Sequence, residues 1–88
     1  MASVRAFSVP GVRLIIHSGD HGPPHIHARK PGDWEARIYI LEGDAAMIEL
    51  RTPPDARMRG TDRRAIIEGV RTYRNELLME WEAAQVDP

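Results

Sequence analysis

At 88 residues the chain has room for one small domain, expected to span residues 1–88, and no second core. Its 42% hydrophobic and 28% charged residues exclude a low-complexity disordered chain. With 12 basic against 13 acidic residues and a net charge of −1, any grip on nucleic acid or anionic lipid must be local, and the lack of cysteine excludes disulfides, thiol nucleophiles and cysteine-ligated metals.

The first residues, Met1 to Phe7, lack the apolar core of a signal peptide. Nowhere does the chain hold the ~20 apolar residues that a membrane span needs, so no membrane contact and a cytoplasmic address are expected. Val12-Arg13-Leu14-Ile15-Ile16-His17 is rich in branched apolar residues and stops at Ser18-Gly19, which predicts a strand. His25-Ile26-His27-Ala28-Arg29-Lys30 alternates polar with apolar and is closed by Pro31-Gly32-Asp33, where proline sets φ and glycine permits φ > 0. Glu35 to Leu41 repeats the alternation until Glu42-Gly43-Asp44, and Ala46 to Arg51 forms a weaker fourth run stopped by Thr52-Pro53-Pro54. Short connections predict sequential antiparallel pairing.

Beyond residue 60 the period changes to that of an amphipathic helix. Ile66, Val70, Tyr73, Leu77, Trp81 and Ala84 recur every three or four residues, with Ile67 and Leu78 widening the stripe. Thr61 or Asp62 is the expected cap and Gln85 the expected end. Gly69 marks either close packing or a break into two helices. The fold class is therefore α+β: a four-stranded antiparallel meander with one face packed on a C-terminal helix or helix pair.

Side chains two apart on a strand share a side. The even positions Val12, Leu14, Ile16, Ile26, Ala28, Ala36, Ile38, Ile40, Ala46, Ile48 and Leu50 are apolar and belong under the helix. The odd positions then face outward, among them Arg13, His17, His25, His27, Arg29, Arg37, Tyr39, Glu49 and Arg51. A half-covered antiparallel sheet tolerates polar residues there, so their chemical type, not their polarity, is the clue.

All four histidines fall within residues 17–27, around Asp20-His21-Gly22-Pro23-Pro24-His25-Ile26-His27. Two fixed φ angles stiffen the Pro23-Pro24 corner. Three uses of the cluster are open. His25 and His27, with His21, His17 or Asp20, can ligate zinc or another divalent metal. His25 and His27 can instead serve as acid–base or phosphate-contact groups, with Arg37, Tyr39 and Arg29 stabilising an anion such as RNA phosphate and Asp20 and His21 orienting them. Or the motif only fixes the hairpin through turn hydrogen bonds.

A second basic region, Arg51, Arg57, Arg59, Arg63 and Arg64, leads into the helix. Arg63 and Arg64 oppose the helix dipole in the first turn, so either an anionic ligand or partner compensates them, or Asp55, Asp62 and Glu68 pair with them. Trp34 and Trp81 are large enough to anchor an interface and equally suited to the core.

The motif Asp20-His21-Gly22-Pro23-Pro24-His25-Ile26-His27 resembles that of the small prokaryotic proteins catalogued as domain of unknown function 4160, with the pattern Asp-His-x-Pro-Pro-His-aromatic-His. The resemblance runs from about Val12 to Ala84 and takes in the strand Glu35 to Leu41, the helix start Arg63-Arg64-Ala65 and the end Leu77-Leu78-x-x-Trp81. Two departures stand out: Ile26 replaces the aromatic residue, and His17-Ser18-Gly19 precedes Asp20 in place of the usual aromatic-Asn. The resemblance implies a place in a two-gene module similar to toxin–antitoxin pairs. This chain would be the toxin-like member, neutralised by a cognate small protein; action on RNA or translation is the expectation from the imidazoles and guanidiniums, not from the resemblance. The alternative is a non-enzymatic protein-binding or metal-binding module with a regulatory role. Either is compatible with a homo-oligomer.

Overall fold

The computed structural model describes residues 2–19, 22–53 and 55–85. Five strands form one antiparallel sheet in sequence order: β1 (Ala2–Ser3), β2 (Arg13–Ile16), β3 (His25–Lys30), β4 (Trp34–Tyr39) and β5 (Ile48–Thr52). The helices are a short turn, α1 (Asp44–Met47), and the consecutive α2 (Gly60–Thr72) and α3 (Arg74–Gln85). The expected α+β class and meander order hold, with one strand more than predicted. β1 has only two residues, too short for a periodic signal, and it pairs Ala2 with Ile16 and Ser3 with Ile15.

The β3–β4 hairpin turns on Pro31-Gly32, where Gly32 adopts φ 79° and the Asp33 amide donates to the Lys30 carbonyl at 2.9 Å. Proline at the second position and positive-φ glycine at the third are what this turn demands. The register that follows sets Ile26 against Ile38, His27 against Arg37 and Ala28 against Ala36.

The even face is buried as expected from β2 to β4: Leu14, Ile16, Ile26, Ala28, Ala36, Ile38 and Ile40 join Ile66, Val70 and Leu77 of the helices in one core. The stripe predicted for the helices therefore joins the core except at Tyr73, which ends α2 and is exposed. The parity fails in the fourth run. Residues 44–47 coil into α1 and rotate Met47 into the core, leaving Ala46 exposed, while Leu50 on the edge strand is 38% exposed. A turn of helix advances side chains by about 100° per residue, so period-2 reasoning cannot be carried through it.

The helix start also differs from expectation. Arg59 occupies the N-cap without a side-chain bond, and Thr61 and Asp62 lie inside α2. Asp62 turns toward the sheet and accepts from Lys30 Nζ at 3.0 Å in a largely buried ion pair. Arg74 secures the junction of α2 and α3, its Nε donating to the Ile40 carbonyl at 2.9 Å. Gln85 Nε2 donates to the His17 carbonyl at 3.2 Å and ties the far end of α3 to the end of β2. The N-terminal segment is held by Glu80, whose Oε1 and Oε2 accept from the Arg5 and Ala6 amides at 2.7 and 2.9 Å. Among the described residues no helix is long and apolar enough to cross a membrane.

Gly69 serves close packing, and the break falls four residues later at Tyr73, where φ −111° and ψ 25° end α2. A Cβ at Gly69 would overlap the Phe7 ring, which itself stacks on Tyr73. Alanine gains up to ~1 kcal/mol of helix propensity but must displace that ring, and overpacking costs about 1–3 kcal/mol. Gly69→Ala is therefore expected to destabilise the domain in urea unfolding. In a Phe7→Ala background the same change should stabilise it, and an unchanged sign would refute this account.

Candidate functional site

The face away from the helices carries the histidines. His27 and Arg37 are direct cross-strand partners, Arg37 is in turn opposite Glu49, and Ile15 flanks His27 on the other side. Residues in such lateral rows touch because opposed Cβ atoms are only about 5 Å apart. His17, just past the end of β2, meets the His27 ring edge-on with centroids 4.2 Å apart. His25 lies 5.0 Å from His27 and 6.2 Å from the Tyr39 ring. The diproline corner thus gathers three imidazoles along one side of β3.

They are not equally accessible. His25, expected to face solvent, is only 5% exposed. Its Nδ1–H donates to the Pro23 carbonyl at 2.9 Å, which fixes the tautomer and pins the ring beneath the corner. The reason is local: a position immediately after two prolines is roofed by the backbone that the prolines bend over it. His17 and His27 are half-buried and border a groove of about 510 Å³ whose walls include Arg29, Arg37 and Arg51.

Two acids organise the charge here: Glu35 lines the groove, and Glu49 adjoins it. Glu49 Oε1 accepts from Arg51 Nη1 and from the Tyr39 hydroxyl, each at 3.0 Å. The hydrogen bond from Arg51 first, then that from Tyr39, hold the Glu49 carboxyl below its usual range; loss of hydration opposes them, and the charges of Arg51 and Arg37 add lesser contributions. Tyr39 is therefore committed to Glu49 and orients it. Arg29 pairs with Glu35 at 3.3 Å, both half-exposed. Arg37 has its Nε buried with no hydrogen-bond partner among the described residues, although guanidinium nitrogens are seldom left so.

The predicted residues thus fall into three groups. His25, His27, Arg29, Arg37 and Tyr39 share the open face; Asp20 and His21 lie outside the described residues. Arg63 and Arg64 sit elsewhere, at the end of the first turn of α2 and the start of its second, bordering a shallow cleft with Asp44, Glu68 and Arg71. Asp62, a candidate partner for them, serves Lys30 instead. Among the described residues no group of three or more His, Asp or Glu side chains is placed to hold a metal ion. Glu49 was visible in the sequence only as an outward position, though the register across from Arg37 would have singled it out. His17, one of the clustered histidines, joins the row because β2 ends beside His27.

These features define a small α+β domain whose helix-free sheet face is lined by imidazoles and guanidiniums. The chain belongs to the family described as Domain of unknown function (DUF4160), whose family model matches residues 11–82. No curated protein and no solved structure matches the chain.

Proposed function

We propose that the chain is the toxin-like member of a two-gene module, that its open sheet face engages RNA phosphate, and that a cognate small protein neutralises it by covering that face. The observation that carries this reading is the juxtaposition of His27 with Arg37 across β3 and β4, next to His17 and within a groove walled by Arg29 and Arg51. Guanidinium forks match phosphate oxygens, and an imidazole beside them can donate or take a proton near neutral pH. Arg37 is the chief anion contact, because it stands beside His27 in the wall of the groove. His27 is the acid–base or phosphate-contact group, Tyr39 and Glu49 orient the far wall, and His25 braces the corner.

Expression without the accompanying small protein is expected to arrest growth and depress amino-acid incorporation. Arg37→Gln and His27→Ala, with folding verified by circular dichroism, should each relieve the arrest. Loss of an acid–base group typically costs on the order of 10²–10⁴ in rate. Unimpeded growth with the unsubstituted chain, or arrest that survives both substitutions, would count against the proposal.

A further inference from the structure

β5 is the last strand of the sheet, and no described strand lies along its second edge. An unpaired edge is a template for another strand and is usually blunted by charged side chains, proline or a bulge; β5 has a register shift where Leu50 and Thr52 face Ala36 and Glu35 and has Pro53 just past its end, whereas Ile48 to Leu50 pair in regular register. β5 reads Ile48-Glu49-Leu50-Arg51-Thr52, with Glu49 to Thr52 exposed. Its charges are of both signs and symmetric about Leu50. Laid antiparallel against a copy of itself, Leu50 meets the partner's Leu50, Glu49 meets the partner's Arg51, and Arg51 meets the partner's Glu49.

We propose that two copies of the chain pair through β5 about a two-fold axis at Leu50, joining their sheets into one. Such an isologous contact uses the same patch on both subunits, which is what a self-complementary strand supplies. The registers within the chain extend the argument. Arg37 faces Glu49 across β4 and β5, and Arg29 faces Glu35 across β3 and β4. Charge therefore alternates outward along the face from Arg37 to Glu49 and on to the partner's Arg51, which lies at the register shift of β5 beside the pairing of Glu35 with Thr52. On the helical side, Leu50 is the apolar residue left 38% exposed at this edge, and its copy would cover it. The helices of both subunits lie on one side of the joined sheet and the two histidine grooves side by side on the other.

A single strand pair is a small interface, below roughly 1,200 Å² in total, so the expected dimer is weak, with a dissociation constant on the order of 100 µM. Sedimentation equilibrium of the purified chain should show that monomer–dimer exchange. Glu49→Arg and Arg51→Glu each place like charges opposite one another twice and should weaken self-association about tenfold or more. Mixed together, these two variants restore both opposite-charge pairs and should form heterodimers while neither forms homodimers. Leu50→Lys, with folding verified by circular dichroism, should also leave a monomer. A monomer at millimolar protein, a dimer that persists unchanged in the charge variants, or a mixture that fails to associate would each overturn the proposal.

Discussion

Trp34→Ala is expected to lower the melting temperature by roughly 15–30 °C or to abolish the cooperative transition altogether. Removing a fully buried large aromatic costs about 3–5 kcal/mol, and each kcal/mol shifts a domain of this size by about 4–8 °C. Trp34 is only 2% exposed and stands at the head of β4, opposite Lys30, immediately after the Gly32 turn. Its loss would therefore open a void at the point where hairpin, sheet and helical layer converge. The companion variant separates volume from polarity. The Trp34 indole nitrogen is buried without a hydrogen-bond partner among the described residues, so Trp34→Phe surrenders no bond and should cost no more than about 1–2 kcal/mol. Differential scanning calorimetry of the pair checks this, and equal losses in both variants would show that the ring volume is not what matters.

Glu80→Ala should destabilise the domain by about 2 kcal/mol and release the N-terminal segment locally. Hydrogen bonds to a charged acceptor contribute about 1.5–3 kcal/mol each when shielded, and the exposure of the Arg5 side of this clamp reduces that figure. Hydrogen exchange offers the sharper readout, because the Arg5 and Ala6 amides should lose protection while those of β3 and β4 retain it. Glu80→Gln keeps one carbonyl acceptor and should fall between the two. Uniform loss of protection across the sheet would mean that Glu80 supports the core as a whole and not the N-terminal strap.

Much of this architecture was legible in the amino-acid order because its signals are local. The Pro31-Gly32 turn fixed one hairpin, and from that hairpin the alternation of Ile26, Ala28, Ala36 and Ile38 assigned one face to the core and the other to His27 and Arg37. The departures share a cause, which is that neighbours in space overrode neighbours in sequence. Met47 turned inward because a single helical turn interrupts the alternation before β5. His25 became covered because the prolines before it fold the backbone over its ring. Asp62 left its expected role at the helix start for Lys30, a residue 32 positions away. The candidate site was read as a set of residue types; that Arg37 lies between His27 and Glu49 depends on register, which only the paired strands supply.

Behind His27 and Arg37, on the concealed side of the same two strands, Ala28 is set against Ala36. Two methyl groups leave little slack there, and densely packed interiors pass displacement along instead of absorbing it. A bulkier side chain at either alanine would tilt the strand pair and splay the imidazole from the guanidinium on its outer side. The size of two buried methyl groups thus governs the spacing of two polar side chains on the opposite surface.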